Sequence, residues 1–202
     1  PPPLGAGRAP AKTFFKYRTK FYQAPELAHE IASSGHNVVG TVYVQAGSFH
    51  HGSGAGVWSG RGEVEYCQGV AAICDSGVYP GLPRLCWGIQ GTVDLHHERA
   101  AAVVRQMATC RNFRGIRPSG PYDYDDDFKA GLRVLDDMGL VLDCWFHPRP
   151  AFDAEKLPKL AALAREFPGV TIVLDHLGGA VGPAVSADPS ALARWREGIA
   201  EL

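Results

Sequence analysis

Val170-Thr171-Ile172-Val173-Leu174-Asp175-His176 places five apolar or β-branched residues directly before an acid and an imidazole. Pro168-Gly169 precedes the run and Gly178-Gly179 follows it. A short, nearly continuous apolar run between such breaks reads as a strand covered on both faces, since a half-solvated strand would alternate with polar residues. Four earlier runs have the same form: Val38 to Val44, Leu85 to Ile89, Phe113 to Ile116 and Leu140 to Phe146. Helical patterns lie at Pro25 to Ser33, Glu63 to Cys74, Glu98 to Met107, Asp127 to Met138, in a segment ending at Phe167, and from Ser190 onward. Strands alternating with helices predict an α/β fold on a parallel sheet.

Phe128, Leu132 and Leu135 recur at spacings of four and three, so one stripe of that helix faces a barrel or open sheet while Lys129, Arg133 and Asp136 face water. Pro158 is tolerated only in a first helical turn, which starts the fifth helix near it. Each crossover is long enough to hold a helix, and right-handed crossovers bring every strand's C-terminal end to one rim. The residues following the runs are Gln45, Gln90, Arg117, His147 and His176. That rim is where binding and chemistry are expected.

Composition narrows the partners. With 20 basic against 21 acidic residues the formal net charge is -1, which leaves no basic footprint for nucleic acid or an acidic membrane surface. A small-molecule substrate is expected, with a homo-oligomer as a further possibility. No apolar run reaches the roughly 18 residues of a membrane span, and no charged start leads into an apolar signal core, so a cytoplasmic location is the default expectation. The five cysteines, Cys67, Cys74, Cys86, Cys110 and Cys144, are odd in number, widely spaced and set in apolar segments, which suits reduced core residues. Residues 1–20 begin with an aperiodic Pro, Gly and Ala stretch and are expected to lie outside the domain, which then occupies 21–202.

His147 closes Asp143-Cys144-Trp145-Phe146-His147-Pro148. An imidazole at a strand end, walled by Trp145, is placed to bind a divalent metal; the alternative is a half-buried histidine bonded to a backbone carbonyl. His176 closes the next strand, and neighbouring parallel strands lie about 4.8 Å apart, so the two imidazoles can share one metal or one water. Arg117 offers a planar fork for a substrate carboxylate or, equally, an ion pair with an acid of Asp123 to Asp127. Gln45 and Trp145 join it as expected substrate-facing residues. Asp175 alternates away from the face of His176 and is expected to hold backbone amides or cap the following loop. Arg114 is expected to be structural. His50, His51, His96 and His97 read as solvated loop residues, and the glycine-rich stretch from Ala46 to Arg61 as either a flap over the rim or an insertion. A phosphate loop, a GxSxG elbow and a strand-linked GxGxxG are absent from the sequence.

Taken together, Ser34-Gly35-His36-Asn37-Val38-Val39-Gly40-Thr41-Val42-Tyr43-Val44-Gln45, Phe113-Arg114-Gly115-Ile116-Arg117, Trp145-Phe146-His147-Pro148 and Val173-Leu174-Asp175-His176-Leu177-Gly178-Gly179 resemble the amidohydrolase-related family of the amidohydrolase superfamily. That family includes lactonases of sugar lactones and of pyrone dicarboxylates. The resemblance runs from about Phe21 to Gly182 in matching order. It implies a (β/α)₈ barrel, of which this chain would hold strands two to six, and a hydrolase of lactones or related carbonyl esters. It further implies a divalent metal, zinc or manganese, in most members, and catalytic roles for His147 and His176. In that reading His147 binds the metal or polarises the carbonyl, His176 handles water, and Arg117 faces the substrate.

Two departures stand out. The family's first-strand His-x-His has no counterpart before Phe21, and the chain stops before an eighth-strand aspartate. Since a barrel takes about 250 residues, the chain is expected to be a partial barrel of low intrinsic activity. A metal-dependent decarboxylase of the same superfamily, or a non-catalytic remnant binding small molecules or partners, are the alternatives.

Overall fold

The computed structural model describes residues 22–52, 55–78, 81–119, 122–144, 156–179 and 188–202. The expected N-terminal segment 1–20 and the candidate site residues Trp145 and His147 lie outside the described residues. The chain divides into two units, Pro1–Asn37 and Val38–Leu202.

In the first unit, helix α1 spans Ala24–Ser33. Pro25 sits in its first turn, where its missing N–H costs nothing, and the Gln23 N–H donates to Glu26 Oε2 at 2.9 Å to complete a capping box. Gly35, at φ 74°, follows the helix.

The second unit runs β1 (Gly40–Val44), α2 (Arg61–Asp75), β2 (Arg84–Gly91), α3 (Ala100–Met107), β3 (Phe113–Ile116), α4 (Asp126–Asp137), β4 (Val141–Cys144), α5 (Lys156–Glu166), β5 (Thr171–Leu174) and α6 (Pro189–Ala200). The five strands are all parallel and lie in chain order, curled as a half-barrel with helices, which is the expected partial (β/α)₈ architecture. Pro158 falls in the first turn of α5, as its chemistry requires.

The predicted stripe on α4 is buried: Phe128, Leu132 and Leu135 are fully enclosed, while Arg133 and Asp136 are exposed. Side chains of this size contribute roughly 1.5–3 kcal/mol each when removed from water. Asp125 starts α4 by accepting the Phe128 N–H at 2.9 Å, and Asp188 starts α6 in the same way with Ser190 and Ala191. Cys67, Cys86 and Cys144 are buried, and all five cysteines are free thiols. β2 extends to Gly91, beyond the apolar run that marked it, so Gln90 lies inside the strand and Thr92 is the first residue past it. No helix among the described residues is long and apolar enough to cross a membrane.

Candidate active site at the strand ends

Arg117 gathers the charged residues of the rim. Its N–H donates to the Gly91 carbonyl at 2.9 Å, so pairing between β2 and β3 continues past Ile116 and fixes the backbone that carries the guanidinium. Nη1 lies 3.2 Å from Asp175 Oδ2, and Nη2 donates to the Gln45 carbonyl. One side chain therefore ties the end of β3 to the residues following β1 and β5. The pair is largely shielded, with the two side chains 14% and 17% exposed, and reduced solvent screening strengthens it relative to a surface ion pair.

Beneath this pair lies Asp143, in the middle of β4 and opposite Val173 of β5. It is 3% exposed. Burial pushes its carboxyl up from the usual 3.8 to about 6; the neighbouring Asp175 charge and a hydrogen bond with the Asp175 carboxyl add to the shift, and Arg117 opposes it. The cluster thus sets one guanidinium against two neighbouring carboxyl groups, those of Asp175 and the buried Asp143.

His176 follows Asp175 on a backbone that has left the strand. His176, Leu177 and Gly178 have φ of 52°, 54° and 72°, a left-handed turn that costs non-glycine residues roughly 1–2 kcal/mol each. The Trp195 Nε1–H of α6 donates to the Leu177 carbonyl at 2.8 Å and helps hold the turn. The expectation that Asp175 caps the next loop is corrected: it pairs with Arg117. Strand alternation ends at Leu174, and the turn, not the pleat, aims the residues beyond it.

Gln45 enters the cluster through its backbone. Its N–H donates to the Gln90 carbonyl at 3.0 Å and its carbonyl accepts from Arg117, while its side chain is half-buried. Arg114 bonds the carbonyls of Arg111 and Phe113, the structural role expected of it.

Two further residues emerge that the sequence reading passed over or misjudged. Glu63, in the first turn of α2, is 1% exposed and accepts from the Tyr43 hydroxyl at 2.6 Å and from the Ala46 and Ser48 amides at 2.9 and 3.1 Å. Phe49 stacks on Tyr66 at 3.8 Å between centroids, so the glycine-rich loop is tied to α2 at its start. His96 is half-buried rather than solvated: Nδ1 lies 3.0 Å from Asp94 Oδ1, Nε2 lies 3.5 Å from Asp125 Oδ1, and Phe128 meets the ring edge-on. Only Asp143 carried a sequence signal, as a lone acid inside the apolar run Leu140 to Phe146.

Among the described residues, no group of three or more His, Cys, Asp or Glu side chains converges to hold a metal ion. The acids nearest Arg117 are already engaged with it and with each other.

Comparison with known proteins places this rim in context. The sequence model of the amidohydrolase family matches residues 83–202, which contain β2 to β5. An L-fucono-1,5-lactonase from Burkholderia ambifaria is 34% identical over 120 residues, covering 56% of this chain and 38% of the relative. A crystal structure of an amidohydrolase from Burkholderia multivorans with bound HEPES superposes with a TM-score of 0.62 at 24% identity, covering 89% of this chain and 55% of that one. A structure of amidohydrolase 2 from Bifidobacterium longum subsp. infantis gives 0.49 at 22% identity, with coverages of 86% and 55%. The chain spans little more than a third of the curated relative and about half of each solved chain.

Proposed function

This chain belongs to the amidohydrolase family, and from that premise we propose that its strand-end rim is part of a hydrolase site for a lactone or related carbonyl ester. The observation that carries the reading is the gathering of Arg117, Asp143 and Asp175 at β3, β4 and β5, with an imidazole at the next residue, His176. Perturbed, shielded titratable groups at the C-terminal ends of barrel strands mark catalytic sites more often than structural ones. Similarity to a lactonase over 120 residues supports the substrate class.

The described donors do not form a zinc or manganese site. His147, the ligand implied by the family resemblance, lies outside the described residues. A divalent metal, where bound with His147 among its ligands, would supply polarisation of the lactone carbonyl; the steps proposed here are those of this chain's own side chains. His176 takes a proton from water as the water oxygen adds to the lactone carbonyl carbon. The ring C–O bond then breaks, the ring oxygen takes up that proton, and a hydroxy acid results. Arg117, with Gln45 beside it, orients the substrate; Asp175 fixes the guanidinium that does so. By the family resemblance Trp145 is assigned to substrate contact and His147 to polarising the carbonyl or holding a metal.

Acid release from sugar lactones and pyrone dicarboxylates tests this reading. Hydrolysis above the uncatalysed rate is expected, falling by roughly two orders of magnitude in His176→Ala, the usual scale of one general base. Activity that survives His176→Ala unchanged removes the assigned base, and no lactone turnover by the wild-type chain removes the reading.

A further inference from the structure

Arg117 is held at both arms of its fork: Nη1 lies 3.2 Å from Asp175 Oδ2, and Nη2 donates to the Gln45 carbonyl. A single contact would let the guanidinium pivot about it, whereas two fix the plane that a substrate meets. The second contact is only as firm as the peptide that supplies it. The Gln45 carbonyl and the Ala46 N–H belong to one rigid planar unit. That N–H donates to Glu63 Oε1 at 2.9 Å, so Arg117 grips one side of the peptide and Glu63 the other. The preceding peptide is held too, because the Gln45 N–H donates to the Gln90 carbonyl at 3.0 Å.

Glu63 lies in the first turn of α2, almost wholly buried, and the Tyr43 hydroxyl and the Ser48 N–H reach the same Oε1 at 2.6 and 3.1 Å. Oε2 makes no hydrogen bond among the described residues, and His50 Nε2 stands 3.4 Å from it. Hydrogen bonds to a carboxylate are roughly twice as strong as neutral ones. A chain of them through a polarisable peptide strengthens each link. The loop beyond Ser48 has ties of its own. Phe49 stacks on Tyr66, the His51 N–H donates to the Ser59 carbonyl at 2.9 Å, and a Cβ on Gly62 would stand 2.3 Å from the Phe49 carbonyl oxygen, so glycine lets the loop lie directly on α2. What Glu63 fixes by itself is the turn directly after β1, which carries the carbonyl that holds Arg117.

We infer that Glu63 is a positioning residue for Arg117: acting through the Gln45–Ala46 peptide, it sets the plane of the guanidinium that orients the substrate. The inference rests on the hydrolase reading for its purpose, since that reading gives Arg117 a substrate to orient. The linkage from Glu63 through the peptide to Arg117 is testable without any reaction.

Solvent exchange of the Arg117 Nη protons, followed by NMR in the full chain, reads the linkage, with Tm and lactone kcat/KM measured on the same variants. Glu63→Ala should speed exchange of the Nη2 protons about tenfold, and Glu63→Gln, which keeps a neutral acceptor, about threefold, following the strengths of charged and neutral hydrogen bonds. If Glu63→Ala does not fold, Glu63→Gln decides alone. Tyr43→Phe removes a donor from the same oxygen without touching the peptide, so it should lower the Tm and leave the Arg117 protons as in wild type. Nη2 exchange as slow in Glu63→Gln as in wild type overturns the inference. So does exchange that is equally fast in Tyr43→Phe and Glu63→Gln, which a general loosening of α2 would produce. In a chain that turns over lactone, kcat/KM should fall in the same order as exchange rises, and a kcat/KM that stays flat also overturns the inference. No lactone turnover even by wild type, with the graded exchange intact, removes only the hydrolase reading. Turnover with ungraded exchange removes only the role of Glu63.

Discussion

Arg117 and Asp175 stand 58 residues apart in the chain and 3.2 Å apart at the rim, where one guanidinium joins the strand ends of β3 and β5. Because the pair is shielded, breaking it leaves a charge with few alternatives. Arg117→Ala should cost on the order of 2–3 kcal/mol in urea unfolding. The double variant with Asp175→Ala should lose clearly less than the sum of the singles, with a coupling of about 1 kcal/mol or more. Additive single effects would show that the contact contributes nothing specific.

Asp143 sets a pH signature. Its folded value lies near 6 against an ordinary 3.8, so its contribution to stability is fully present below about pH 4 and is lost as pH rises through about 6. Two units correspond to roughly 3 kcal/mol. Asp143→Asn mimics the protonated form and should gain on wild type as pH rises from 4.5 to 7.5. Melting curves with a constant difference across that range would contradict the shift.

Glu63 anchors the loop after β1 through three donors. Glu63→Ala strands them in a buried site, at a cost of at least about 2 kcal/mol. Hydrogen exchange at the Ala46 and Ser48 amides should accelerate more than exchange within β3. Uniform acceleration across the sheet would mean that the anchor is not local.

Val42 and Val173 are 64% and 42% exposed on β1 and β5, the two outer strands of the sheet. Apolar side chains on unpaired edges favour association. Sedimentation velocity should show self-association that rises with concentration and is reduced by Val173→Lys. A single monomeric species at all concentrations would refute this.

The sequence by itself determined the elements and their order. Runs such as Phe113–Ile116, matched residue for residue by β3, and the stripe of Phe128, Leu132 and Leu135 follow from local periodicity, which each segment expresses without its partners. The sequence also placed Arg117 and His176 at strand ends, because a strand's limits are written in its own composition. Only the tertiary structure decided what those residues meet. Asp175 turned to Arg117 because the chain enters a left-handed turn at His176, and no alternation rule extends through such a turn. Asp143 and Glu63 acquired their roles from burial, which depends on helices and strands brought from elsewhere in the chain. Periodicity is a local property; charge pairing and desolvation are set by distances across space, which only the folded chain fixes.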